Sequence, residues 1–185
     1  MAKITYYTSA KQLDDSCKSG FAGRMTTFET CGIDKTQTEN KQPIEATTID
    51  LPTTDIQLAE MVAVQSALEH AISLGASSGT RLSVWCDNDT VVSKIHNDMH
   101  DRQDDFDAIK DEVVQTIRMH LKRLGRKKGW PIVQTRTNTN SISKEITEAV
   151  GFEETKNSEA LTAPGYDEPL EIVAKLRERS KMKSQ

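Results

Sequence analysis

The stretch "TTDIQLAEMVAVQSALEHAISLGA" (53–76), followed at once by "RLSVWC" (81–86), constrains this chain most. Leu58, Met61, Val62, Gln65, Leu68 and Ile72 recur at helical spacing, so 53–76 reads as a helix. Thr54 and Gln57 stand at capping-box distance, and Gly75 is a suitable stop. Residues 81–86 alternate apolar Leu82, Val84 and Cys86 with Arg81, Ser83 and Trp85, a strand pattern. Strand candidates also precede the helix. A strand–helix–strand order implies a crossover, and a crossover joins parallel strands. The fold class is α/β.

Before the helix, "KITYYT" (3–8) is β-branched and aromatic, a first strand, and "AKQLDDSCKSG" after it is a polar loop. Residues 21–33 and 43–51 read as strands two and three around a turn-like 34–42, an antiparallel meander. After 81–86 come a short helix at 90–98 and a long one at 104–124. The long helix carries an apolar stripe of Phe106, Ile109, Val113, Ile117, Leu121 and Leu124. A strand at 130–137 and a helix at 141–150 complete a domain of residues 1–150. Residues 151–185 are a Pro- and Gly-punctuated linker and a charged helix (168–184) with a narrow face of Leu170, Val173, Ala174 and Leu176.

A chain of 185 residues suits one domain with a real core. Three cysteines, an odd number without metal-ligand spacing, argue against a disulfide framework or a zinc site. "MAKITYYTSA" lacks an apolar signal core, and no apolar run has the length of a membrane span. The expectation is a soluble, cytoplasmic protein. The net charge of −4 does not favour nucleic-acid binding, but local clusters outweigh the sum.

Two acids carry the candidate chemistry. Glu60 shares a helix face with Ala63, Val64, Ala67 and Ala71, small residues suited to close packing on a sheet. A carboxylate in that company sits at the rim beside a base, or binds a cation. Asp87 ends a strand of the crossover, where open α/β sheets place ligand sites. It could also serve a turn or a helix cap, although Asp89 stands ready for capping. His70, His96, His100 and His120 share no ligand spacing and read as surface residues.

Ala59-Glu60 near a helix start, a strand ending in Asp87, and "TVVSKI" as a short following helix together resemble the ribonuclease H family. The resemblance is specific in the middle, weaker at both ends, and spans about residues 1–150. It implies a ribonuclease H-like mixed five-stranded sheet with flanking helices, here with a C-terminal extension. It also implies cleavage of the RNA strand of RNA–DNA hybrids by two divalent metals, magnesium or manganese, held by four carboxylates. Glu60 and Asp87 take two of those positions.

The other two depart from the pattern. The first strand of the family ends in Thr-Asp-Gly-Ser; here "YYTSA" puts Ser9 at the Asp. Asp14 or Asp15 is an alternative ligand nearby. The last helix has an Ala-Asp-x-Leu-Ala pattern in the family; here "EITEAV" puts Thr147 at that Asp. Glu145 and Glu148 flank it but point about 100–200° away on a helix. The loop before that helix, "TRTNTNS", has no histidine, which the family often carries there.

Some family members bind hybrids through a basic, Trp-containing segment. "RMHLKRLGRKKGW" fits that description, with Arg118, Lys122, Arg123, Arg126, Lys127, Lys128 and Trp130. The same bases also complement a helix dipole whose other end is crowded with Asp. Three functions follow as expectations: a degenerate member that binds nucleic acid or a protein partner with little or no cutting; an active metal-dependent ribonuclease H; or a structural module that binds a partner through its C-terminal helix.

Overall fold

The computed structural model describes residues 2–31, 36–96, 108–125, 132–135 and 170–183. Its elements are β1 (Ala2–Gln12), β2 (Cys17–Cys31), β3 (Thr36–Leu51), α1 (Ile56–Ser73), β4 (Arg81–Cys86), α2 (Asp89–His96), α3 (Ala108–Arg123), β5 (Val133–Thr135) and α4 (Leu170–Lys183). The strands form one five-stranded sheet in the order β3-β2-β1-β4-β5. β1, β2 and β3 run antiparallel as a meander, while β4 runs parallel to both β1 and β5. This is the expected ribonuclease H-like mixed sheet. The expected helix at 141–150 lies outside the described residues.

The meander is longer than the sequence suggested. Residues 10–20 are not a polar loop: pairing continues from Ser9↔Gly20 to Gln12↔Cys17. Only Leu13–Ser16 turns, closed by Leu13 N–H to Ser16 O at 2.8 Å. Residues 36–42 likewise belong to β3, pairing with β2 through Asn40↔Thr27 and Lys41↔Thr26. Polar residues persist there because the distal part of β3, residues 38–43, is exposed. β3 ends the described sheet, where Lys41 and Pro43 are tolerated and discourage further pairing. A bulge falls between Phe21 and Gly23, and a Cβ on Gly23 would come within 2.6 Å of the Thr5 carbonyl.

Alternation sets the core face. Ile4, Tyr6 and Thr8 of β1, Cys17, Ser19 and Phe21 of β2, and Leu82, Val84 and Cys86 of β4 are all buried. α1 packs on β1 and β2 and is itself covered by α3. Its burial is therefore broader than one stripe: residues Met61 to Leu68 are buried without a break. Ala63, Val64, Ala67 and Ala71 are completely buried, as a small-residue face on a sheet requires. Gly75 adopts φ +84° just past the helix, the left-handed conformation glycine takes at no steric cost.

α4 docks on the domain. Ile172 and Leu176 enter the common core, and Lys175 pairs with Glu112 of α3. Its buried face thus differs from the expected one: Ala174 is exposed, and the side chains of Leu170 and Val173 are outside the described set. No helix among the described residues is long and apolar enough to cross a membrane.

Candidate functional site

The last described pair between β1 and β4 is Thr8↔Cys86. One step further along that register stand Ser9 and Asp87, at the carboxyl edge of two parallel strands. Ser9 is the first residue of β1 beyond its described pairing with β4, while β1 itself continues to Gln12. Asp14 and Asp15 are exposed in the Leu13–Ser16 turn, five and six residues past Ser9 in a chain that advances about 3.3 Å per strand residue.

α1 brings Glu60 to the same edge. Its N-cap is Asp55, whose Oδ1 accepts from the Leu58 N–H at 3.1 Å. The capping box expected from Thr54 and Gln57 is not used; Asp55 also pairs through Oδ2 with Lys110 at 2.5 Å, which ties the cap to α3. One turn on, the Ser19 hydroxyl donates to the Ala59 carbonyl at 2.6 Å and fixes the backbone beside Glu60 to β2.

The Glu60 carboxyl is under-satisfied. Its Oε2 is buried without a hydrogen-bond partner. Burial pushes its pKa above the usual carboxylate range and the Asp87 charge adds to that, while a hydrogen bond from the Asn88 side chain acts the other way. The two acids are therefore close enough to feel each other. Asp87 itself is exposed.

Asn88, not Asp89, caps α2. Its Oδ1 accepts from the N–H groups of Thr90 at 3.0 Å and Val91 at 3.2 Å, and Asp89 is the first residue of the helix. Below the acids, the Thr8 hydroxyl donates to the Trp85 carbonyl at 3.2 Å. Burial above all, with the Glu60 and Asp87 charges adding, pushes the Cys86 thiol up to about 11, so it stays protonated and is no nucleophile.

The donor set fits one divalent cation. A buried carboxylate oxygen without a partner beside a second carboxylate is a hard-oxygen arrangement that a cation would satisfy. It does not reach a two-ion arrangement: among the described residues, no group of three or more His, Cys, Asp or Glu could hold a metal. Glu145, Thr147 and Glu148 lie outside the described residues.

The basic segment is divided. Arg118 donates from Nε to the Ile95 carbonyl at 3.1 Å and from Nη2 to the Lys94 carbonyl at 3.0 Å, closing the C-terminal end of α2. It is a structural cap, and these bonds compete with any phosphate contact. Lys122 and Arg123 are exposed in the last turn of α3. Arg126, Lys127, Lys128 and Trp130 lie outside the described residues.

The histidines are not all on the surface. His70 is buried, with Nδ1 2.8 Å from the Tyr6 hydroxyl, and burial pushes its pKa down to about 4. His96 and His120 are half-buried; Nε2 of the first lies 2.6 Å from the Val133 carbonyl and Nε2 of the second 3.3 Å from Glu69 Oε1. His100 lies outside the described residues. His70 was readable: it stands three residues after Ala67 and seven after Ala63, on the same packed face.

No protein-family model matches this chain, and no curated protein does. Solved structures do. RNase H1 from the halophilic archaeon Halobacterium salinarum is 13% identical, with a TM-score of 0.44, over 80% of this chain and 93% of that one. LC11-RNase H1, isolated from compost by a metagenomic approach, is 16% identical, with a TM-score of 0.45, over 81% and 96%. The structure of LC11-RNase H1 in complex with an RNA/DNA hybrid is 13% identical, with a TM-score of 0.43, over 79% and 92%. The chemistry of the site rests on this chain's own residues.

Proposed function

We propose that this chain is a degenerate ribonuclease H-like protein that binds RNA–DNA hybrid or a related nucleic acid, with cleavage weak or lost. The observation that supports this is the β1–β4 register, whose last pair, Thr8↔Cys86, comes directly before Ser9 and Asp87, so a serine stands where the family pattern has a carboxylate. A neutral hydroxyl is a poor ligand for a hard cation and does nothing to offset the loss of charge. Lys122, Arg123, Arg126, Lys127, Lys128 and Trp130 form the candidate phosphate-binding surface. Arg118 is bonded to the end of α2 instead.

A second reading, an active metal-dependent ribonuclease H, is favoured by one specific observation, the unpaired Glu60 Oε2 beside Asp87. Glu60 and Asp87 would hold magnesium or manganese, with Glu148 as a further ligand in this reading; Asp14 and Asp15, in the Leu13–Ser16 turn, do not join them. The ion would supply positive charge to a phosphodiester oxygen. The chain's residues would place that charge at the carboxyl edge of β1 and β4. A partner-binding role for α4 has less to work with, because Ile172 and Leu176 are taken up in the core.

The test uses labelled RNA–DNA hybrid with Mg²⁺ or Mn²⁺, beside Glu60→Gln and Asp87→Asn. The expected outcome is hybrid binding that weakens steeply with salt and with neutralisation of Arg126, Lys127 and Lys128, and little cutting. Robust metal-dependent cutting that either substitution abolishes would sink the degenerate reading. No binding at low salt would sink both nucleic-acid readings.

A further inference from the structure

The described helices all lie on one side of the sheet. α1 packs on β1 and β2, α2 and α3 pack against α1, and α4 pairs with α3 through Lys175. In β1, Lys3, Thr5 and Tyr7 alternate with buried Ile4, Tyr6 and Thr8, so they stand on the opposite face. Arg81, Ser83 and Trp85 do the same in β4. Register brings the two sets together. Lys3 stands beside Arg81, Thr5 beside Ser83 and Tyr7 beside Trp85, in strands about 4.8 Å apart. On the other side of β1, Arg24 stands opposite Thr5, diagonal to Lys3 at about 7–8 Å.

The charge on this face is of one sign. Lys3, Arg24 and Arg81 are exposed, and among the described residues none of them makes an ion pair. β1 and β4 contain no acidic residue. Glu29, the acid of β2, lies beyond the pairing with β1, which begins at Ala2↔Thr27. Like charges side by side in a sheet repel, yet Lys3 and Arg81 are direct neighbours. An anion lying on the three cations removes that cost. Tyr7 and Trp85, both half-buried, follow on the same face, about 13 Å along β1 from Lys3 and past the hydroxyls of Thr5 and Ser83.

Cations that track a backbone and flat rings that take bases are the two parts of a single-strand site. A duplex would use the cations but keeps its bases paired. An acidic protein would leave the rings idle. We propose that this sheet face binds a single strand of nucleic acid: Lys3, Arg24 and Arg81 contact its phosphates, and Tyr7 and Trp85 stack on its bases. This goes beyond hybrid binding, because it needs unpaired bases.

The test is fluorescence anisotropy on the full chain with end-labelled single strands of about 12 nucleotides, as RNA and as DNA, across a salt series. Neutralising Lys3, Arg24 and Arg81 together to Gln should weaken binding at least about tenfold and reduce the log–log salt slope by about 2. Trp85→Leu should weaken it about tenfold with the slope unchanged, and should leave affinity for RNA–DNA hybrid at the wild-type value. The chain has two tryptophans, so Trp130→Phe leaves Trp85 as the sole emitter, and single strand should quench it. That last readout stands even where Trp85→Leu melts early. Wild-type protein that binds no single strand at low salt overturns the proposal. So does single-strand affinity that the triple change leaves intact, or Trp85 emission that saturating single strand does not alter.

Discussion

α1 carries Glu60, partly buried near its start, and His70, buried near its end, about 15 Å apart along the axis. They were solved differently. His70 sits in an enclosed aromatic nest, with the Tyr6 hydroxyl 2.8 Å from Nδ1, the Phe21 ring 5.2 Å away, and Tyr6 edge-on to Phe21 at 5.6 Å. With the ring neutral, the Tyr6 hydroxyl and Nδ1 share one hydrogen bond, so this polar pair is satisfied without charge. Glu60 keeps one oxygen buried and unpartnered beside a second acid. A fold that can satisfy a buried polar group at one end of a helix and leaves one bare at the other makes the bare end the candidate ligand position.

The two ends should answer acid with opposite signs. The folded pKa of His70, about 4, lies below the ordinary 6.5, so the unfolded chain takes up its proton first. Stability from His70 is complete above about pH 6.5 and is lost as pH falls toward 4, on the order of 3 kcal/mol. For Glu60 the folded value is raised, so the folded chain binds the proton more tightly, and acidification through that raised value stabilises. Urea midpoints from pH 7 to pH 4 should therefore fall in the wild type and fall much less in His70→Gln. An acid slope that survives His70→Gln in full would break the comparison at its stronger end.

Tyr6→Phe comes next in size. It leaves His70 Nδ1 without its phenol partner in a buried site and should cost roughly 1–3 kcal/mol in denaturant titrations. A neutral outcome would mean that the nest is held by ring packing alone.

At the other end, Ser9→Asp would restore a carboxylate beside Asp87. Mn²⁺ affinity measured by calorimetry should rise by at least about tenfold, since hard cations bind through carboxylate charge. No gain would show that Ser9 does not face the cation position. The smallest effect belongs to Glu60→Gln, which removes a raised, partly unsatisfied acid. Without metal it should stabilise at neutral pH by up to about 1 kcal/mol and reduce the pH dependence there. Destabilisation by this change would mean that Glu60 has a structural partner.

The α/β class and the crossover were legible because periodicity and strand order report on the core directly. The caps were legible only in kind. Thr54 and Asp89 had the right chemistry, but Asp55 and Asn88, one residue away in each case, took the work, and adjacent polar residues differ only in backbone conformation that composition does not record. The length of the meander was hidden because residues 10–12, 17–20 and 36–42 pair through backbone bonds while most of their side chains are polar. Arg118 looked like one cation among several; only the fold shows the end of α2 beneath it.

The register of β1 also sets an order in time. Tyr6 pairs on one side with Gly23, across a tight turn, and on the other with Val84, 78 positions later. Closing a short loop costs less chain entropy than closing a long one, so β1, β2 and β3 can zip together before β4 arrives. We expect pulse-labelled hydrogen exchange to protect β1–β2 amides ahead of those of β4; simultaneous protection would contradict this order. Ser9 belongs to the early part and Asp87 to the late one. A folding chain that has completed only the meander has neither Glu60 nor Asp87 in place.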